Sequence, residues 1–544
     1  MKKTILKSLK YGFPFILSAI FAIGFSTLAM VYSSEMLNLA LATDFEGMKA
    51  NLLPLALFTL LNIPAQGLVA YTSATWTKKF NLAVKNTYIK KLFSKNINEF
   101  QDERNALYLS NLTNDMNTIE TRFLVPVREI AYGFLLLITG ILVIVSIDLT
   151  LMLIIGGVVI LIVVGSLLMG KPLEKPESQK SLLLKEYTDY IKEVLSAFSI
   201  IKNNNLEQRI SASFNRHSTL VQHKGYEIDK KETYISFLNS FLMNAAAFFG
   251  LFWLAQYSKQ TGIQVGSVIL IINNMNRILW PLMNMTEFLP RIRSTFKVIE
   301  TMDDTLRNKL EYEETIELTD IQEGITFKDV HFEYDPQTPI FDGVNVSFEM
   351  GKKYLILGPS GKGKSTLLRL LRKYFNPDQG IIEMDGHILK DIKKMDYFQH
   401  ISNIEQKVFL FEDSVRNNIT LFKDYSDQQL HQAIKDAGLE DFVDGLEHGV
   451  DHIIVDDGKN VSGGQKARIA IARGLIRQSK ILYLDEAFAS LDDQMARQIE
   501  QTLLSLEGVL VLNVSHVLFK DTQHQYDHIY YVNHQQVVDI TDRQ

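Results

Sequence analysis

The chain has 544 residues, with 62 acidic against 56 basic side chains for a formal charge of −6, and no cysteine. That acidic balance argues against nucleic acid as a partner. The lack of cysteine removes disulfides, thiolate metal sites and cysteine nucleophiles together, and with them a leader-trimming cysteine-protease module.

Apolar residues are spread unevenly. Runs too long for ordinary core helices crowd the chain up to about Pro290, whereas the rest alternates short apolar runs with turn signals and charged helical patterns. Six candidate spans follow in chain order, 13–33, 52–74, 126–147, 149–169, 235–257 and 263–285, each near the ~20 residues that a bilayer requires. The first run continues past signal-peptide length without a clear small-residue cleavage site, so no cleaved signal is expected. The third and fourth runs nearly merge, but Asp148 separates them, and a charge there predicts a tight turn at the membrane surface. Lys2, Lys3, Lys7 and Lys10 precede the first span, while the next loop carries Glu35, Asp44 and Glu46 against Lys49. The positive-inside rule therefore places the N-terminus in the cytoplasm, and six crossings return everything after about Arg291 there. These features predict a multi-pass protein of the cell membrane with the lipid bilayer as its first partner.

Connections on the outer side are short. The two inner ones, 76–125 and 171–234, are each about fifty residues or longer and rich in charge. Structureless loops of that length are unusual, so helices reaching into the cytoplasm are expected, each broken near its middle, at "NEFQDERN" (98–105) and "KNNNLEQR" (202–209). These breaks are either surface loops between solvated helices or contact points for the second half of the chain, with Phe100 and Leu206 as apolar anchors. The sixth span is the most polar. Asn273, Arg277 and Asn284 fall along one helical face, and the sequence places Trp280 on it as well. The stripe either lines a substrate cavity, with Arg277 drawing an anionic group, or serves hydrogen bonding between helices.

Beyond the spans, "YLILGPSGKGKST" is an apolar strand running into a glycine-rich loop. Gly358, Gly363, Lys364 and Ser365 complete G-x-x-x-x-G-K-[ST], with Ser360 and Gly361 inside the loop and Thr366 opening the helix that follows. Such a loop turns backbone N–H groups toward phosphate, adds a lysine charge on the outer phosphates, and offers the Ser365 hydroxyl to Mg2+. In "KILYLDEA" a buried strand ends in Asp485, placed to hold Mg2+, and Glu486, placed to polarise a water. Between them "VSGGQ" puts Ser462, Gly463, Gly464 and Gln465 at a helix start, a second anion site.

In order and content these elements resemble an ATP-binding cassette (ABC) half-transporter of the exporter type, and the resemblance covers nearly the whole chain. It implies an α-helical polytopic membrane domain of six transmembrane helices (1–300), a linker (301–322) and an α/β P-loop nucleotide-binding domain (323–544). It further implies that Tyr334 in "HFEY" stacks on adenine, that Gln406 senses Mg2+ and faces the membrane domain, and that Ser462, Gly463 and Gly464 face the ATP of a partner chain. Asp492 in "ASLD" would lie in the loop that crosses the dimer, and His516 in "NVSHV" near the γ-phosphate. The partner would be a second half-transporter, identical or related. The chain departs from the family pattern at Val461 where leucine is usual, at Glu405 where proline is common, and at Asp456 where exporters often carry glutamate. The function implied is ATP-driven export of an amphipathic substrate, a peptide, lipid or drug-like molecule. The alternatives are import of a metal chelate on the same fold, or a membrane-anchored regulatory ATPase.

Overall fold

The computed structural model describes residues 1–102, 105–153, 156–157, 174–308, 314–335, 338–455, 458–516 and 519–541. The chain divides into two units, Met1–Lys95 with Glu103–Arg307, and Asn96–Asp102 with Asn308–Gln544.

The first unit is helical. Its long helices are α1 (Phe13–Leu41), α2 (Phe45–Phe93), α3 (Val125–Ile147), α4 (Glu174–Ser196), α5 (Glu207–Thr261) and α6 (Val265–Leu306). Among the described residues, Lys2–Leu41, Phe45–Phe93 and Leu107–Ile147 are long and apolar enough to cross a membrane, and they contain the first three expected spans. Most of the fourth, 149–169, lies outside the described residues. The fifth falls inside α5, and nearly all of the sixth inside α6. Pro54 and Pro64 sit within α2, and Pro281 and Pro290 within α6, positions that a membrane helix tolerates because its neighbours re-satisfy the freed carbonyls.

Asp148 breaks the helix at the point where the turn is expected. Its backbone is extended (φ −161°, ψ 124°), its Oδ1 accepts from the Thr150 and Leu151 amides at 2.7 and 3.3 Å, and its Oδ2 accepts from Tyr257 Oη at 2.9 Å. The carboxylate thus caps the helical turn that follows, as Asp does at a helix start. Glycines let helices touch nearby. A Cβ on Gly133 would come within 2.8 Å of the Pro281 ring, and one on Gly140 within 3.0 Å of Ile278, so α3 and α6 approach closely there. Ile144, Leu151, Ile271, Ile278 and Leu279 form the buried cluster beside that contact.

The described parts of both inner connections are helical; the second breaks within the expected 202–209, whereas the first breaks at 94–96, just before the expected 98–105, most of which is helical. After α2 the chain turns at Ser94 and resumes as the short helix Ile97–Asp102. The second break follows Phe198–Asn203, with Asn205 left-handed at φ 53° and the Leu206 amide donating back to the Ile201 carbonyl at 3.0 Å. This is the helix ending that asparagine permits after glycine.

The second unit holds two sheets. The antiparallel sheet has the order β2 (Pro339–Glu349), β1 (Gly324–Glu333), β4 (Gln379–Met384), β5 (His387–Ile388). The larger sheet runs β10 (Gln536–Asp539), β9 (His528–Asn533), β3 (Lys353–Leu357), β8 (Leu510–Val514), β7 (Ile481–Asp485), β6 (Ile401–Ile404), and all its pairs but β10–β9 are parallel. Its central strands are largely apolar and buried nearly throughout because both faces are covered. One face packs on helix α7 (Lys364–Leu371) and the antiparallel sheet, the other on a helical layer that includes α8 (Gly463–Leu475) and α9 (Asp493–Leu504).

Candidate active site

In a parallel sheet all strands deliver their carboxyl ends to one edge, where ligands of such folds bind. Here β3 leads into the loop beginning at Gly358, β8 into Ser515 and His516, β7 ends in Asp485 with Glu486 next, and β6 leads to Glu405 and Gln406. Since β3, β8, β7 and β6 are neighbours in that order, residues more than a hundred positions apart converge.

The loop needs two of its glycines for different reasons. Gly358 has φ 147°, and a Cβ there would strike the Val532 carbonyl; Gly363 has φ 108°, and a Cβ would press within 2.9 Å of Ile340. Ser360 and Gly361 are exposed at the loop tip. Lys364 is buried, and its Nζ donates to the Gly358 and Pro359 carbonyls at 2.8 and 3.1 Å. Burial pulls its pKa below the ordinary lysine value, and the Glu486 and Asp485 charges oppose that shift. Ser365 Oγ lies 3.5 Å from Asp485 Oδ1. Thr366 Oγ1 shares a hydrogen bond with Tyr334 Oη at 3.1 Å, and Arg369 donates to the same phenol at 3.1 Å. Tyr334 stands edge-on to Phe332 and Phe375 yet stays 47 % exposed, a ring fixed beside the loop with surface to offer.

Glu486 is the hub. Its φ is 50°, a left-handed setting rare for a side-chain-bearing residue, and its amide donates to the Val514 carbonyl at 2.9 Å. One carboxylate oxygen accepts from Gln406 Nε2 at 2.6 Å and the other lies 2.8 Å from His516 Nε2. Gln406, Glu486 and His516 are therefore brought together. Burial, aided by the neighbouring Glu486 charge, pushes the Asp485 carboxyl above its usual value, and Arg372 pulls it back.

Ser462, Gly463, Gly464 and Gln465 make no hydrogen bond to this loop among the described residues. They form a capping box instead: Ser462 Oγ accepts from the Gln465 amide at 3.2 Å, and Gln465 Oε1 accepts from the Ser462 amide at 2.8 Å. A Cβ on Gly464 would stand 3.2 Å from the Ser490 carbonyl, which keeps this helix start close to the Asp492 segment. Asp492 itself caps α9, accepting from the Met495 amide at 3.0 Å. Val461 is buried in the apolar cluster of the helical layer, a setting that leucine would also fill. Asp456 lies outside the described residues.

Sequence reasoning missed Arg372, whose guanidinium is buried beside Asp485 and Glu405. The second arginine of "LLRLLRKY", at the end of an apolar helix, was the available signal.

A phosphate loop, an Asp–Glu pair on the adjoining strand end, a histidine and a glutamine reaching the same carboxylate, and a capped Ser-Gly-Gly helix start define a P-loop ATPase. The chain adds to it a helical membrane region. The family described as "ABC transporter" matches residues 341–489, and "ABC transporter transmembrane region" matches residues 13–282. The chain belongs to the ABC transporters: it is an exporter-type half-transporter, a multi-pass membrane protein whose ATP-hydrolysing domain is coupled to transport. It is 27% identical to an "ATP-dependent lipid A-core flippase" of Mannheimia succiniciproducens over 89% of this chain and 84% of that protein. A protein of the same description from Alcanivorax borkumensis is 34% identical over 47% of this chain, and that match spans less than half of the relative, 45%. The fold is similar to "Structure of a bacterial Atm1-family ABC exporter with ATP bound", with a TM-score of 0.83 at 20% identity, covering 98% of this chain and 95% of that one.

Proposed function

We propose that two such chains, identical or related, form an ATP-driven exporter in the cell membrane that moves an amphipathic, lipid-like substrate, with the N-terminus and the ATPase domain cytoplasmic. The observation that carries this reading is the convergence of Gln406 and His516 on the two oxygens of Glu486, beside a complete phosphate loop in a chain that also holds long apolar helices. The flippase names of the relatives support a lipid-like substrate over a peptide or drug-like one.

Each residue has a role that follows from its place. Lys364 and the N–H groups of the loop, with Ser360, Gly361 and Thr366, would bind the ATP phosphates, and Tyr334 would stack on the adenine. Ser365 and Asp485 put two hard oxygens 3.5 Å apart, a donor set that fits Mg2+, with the amide oxygen of Gln406 as a third. Mg2+ held there would supply positive charge against the phosphates. Glu486 is the candidate base for the attacking water; each of its oxygens already meets one partner and keeps a second lone pair, and release of a contact would make the freed oxygen more basic. Loosening of Gln406 frees Oε2 and leaves His516 on Oε1. Ser462, Gly463, Gly464, Gln465 and Asp492 would complete the site of the partner chain. In the membrane, Asn273, Arg277, Trp280 and Asn284 are the proposed cavity stripe.

The test is ATPase activity of the purified protein in lipid against a panel of lipids, peptides and dyes. Stimulation by lipid-like amphiphiles is expected; no stimulation by any member would favour a regulatory ATPase.

A further inference from the structure

Arg372 follows α7 immediately and is 3 % exposed. Its Nη1 lies 3.6 Å from Glu405 Oε1 and 4.0 Å from Asp485 Oδ2, and its guanidinium carbon sits 5.9 Å from the centre of the Tyr483 ring. Nε and Nη2 are buried and have no hydrogen-bond partner. Tyr483 is fixed from behind, since its hydroxyl shares a hydrogen bond of 2.8 Å with Tyr397, which donates to the Leu371 carbonyl. A buried guanidinium with unmade N–H bonds is costly, and its fork is shaped for two-point binding of a carboxylate.

Of the two carboxylates within reach, Asp485 is anchored at the end of β7, whereas Glu405 is 48 % exposed on the segment after β6. Glu405 is therefore the one free to move inward. It directly precedes Gln406, whose Nε2 holds Glu486, so any inward shift of Glu405 is felt at the proposed base.

We propose that Arg372 and Glu405 are a positioning pair: Arg372 supports Asp485 from behind, and by drawing Glu405 toward its unmade N–H groups it sets whether Gln406 stays on Glu486 or leaves it. The pair makes this glutamate, at a position where proline is common, part of the control of hydrolysis. It rests on the ATP-site reading above.

The cysteine-free chain allows a single environment-sensitive fluorophore at Lys407→Cys, an exposed position next to Gln406. The full-length labelled protein in lipid is compared as wild type, Glu405→Gln, Arg372→Lys and the double variant, reading turnover, thermal midpoint and the change in fluorescence on adding Mg-ATP. Glu405→Gln should lower turnover about fivefold to tenfold and remove most of the fluorescence change at an unaltered thermal midpoint. The double variant should be no worse than the more damaged single one, because both break one contact. Wild-type turnover and fluorescence response in Glu405→Gln would overturn the pair, as would fully additive losses. Glu486→Gln is the control: if it is inactive while Glu405→Gln behaves as wild type, only the pair fails. If Glu486→Gln hydrolyses normally, the site reading and the pair fall together.

Discussion

Glu486 holds a backbone setting that costs on the order of 1–3 kcal/mol in a residue with a side chain. The surroundings impose it: a peptide hydrogen bond to Val514 fixes the turn, and Gln406 and His516 hold the two carboxylate oxygens. A strand end kept in that geometry points to chemistry more than to packing. We expect Glu486→Gln to bind ATP near wild-type strength and to lose turnover by about a hundredfold or more, since the amide keeps the shape and removes the base. A coupled ATPase assay beside equilibrium nucleotide binding reads both, and substantial hydrolysis would move the base elsewhere. Lys364→Ala should instead weaken binding itself, by about tenfold or more, because the charge aimed at the outer phosphates is gone before any chemistry. Fluorescent-nucleotide titration checks this, and wild-type affinity would contradict the assignment of the loop. The loop, the strand ends and the Ser-Gly-Gly helix start were legible from sequence because each combines a period with fixed spacing. Arg372 was not, since its meaning depends on Glu405 and Asp485, 33 and 113 positions away, meeting it in space.

At the scale of elements, the two inner connections carry the mechanical claim. Residues 96–102 group with the ATPase unit, although sequence neighbours on both sides belong to the helical one. Within that unit the Asn96 amide donates to Asn308 Oδ1 at 2.9 Å, and Lys394 Nζ donates to Asn96 Oδ1 at 2.8 Å. Asn96 is therefore tied by hydrogen bonds into the ATPase unit. Phe100→Ala and Leu206→Ala should keep most basal hydrolysis while losing its stimulation by substrate, measured as ATPase rate with and without amphiphile in the same lipid. Loss of folding in both would instead assign them to structure alone. The second break was legible because an asparagine-rich stretch interrupts helical periodicity; the first falls earlier than the sequence suggests, because the polar run at 98–102 is itself helical and the turn comes just before it. The lengths of the helices were not legible: α2 runs 49 residues without interruption, and nothing in its charged second half marks the membrane surface except the change in composition.

For the whole molecule the open question is where the substrate passes. Arg277 in α6 donates to Thr27 Oγ1 at 2.5 Å and Ser26 Oγ at 2.6 Å, both on α1. The sequence offered a cavity residue or a structural one, and in this arrangement the arginine is held by hydroxyls of a neighbouring helix. Asn273 and Trp280 are exposed, Arg277 and Asn284 half-buried, so the stripe spans a range of surroundings. An arginine on two hydroxyls can exchange them for an anionic group without leaving a buried charge unpaired. Arg277→Gln should therefore weaken stimulation by anionic amphiphiles more than by neutral ones, and Asn273→Ala should shift both modestly. Equal responses to the two substrate charges, with only yield altered, would assign the cavity to another face. Helix partners such as Ser26 and Thr27 lie 251 and 250 positions from Arg277, beyond the reach of any local pattern.

The most direct measurement reconstitutes the protein in sealed vesicles with a fluorescent lipid-like amphiphile and follows its movement across the bilayer on adding Mg-ATP to the side of the ATPase domains. We predict net movement away from that side in the wild type, none in Glu486→Gln, and none without ATP. ATP hydrolysis at an undiminished rate with no movement of any amphiphile, or movement toward the ATPase side, would contradict an ATP-driven exporter.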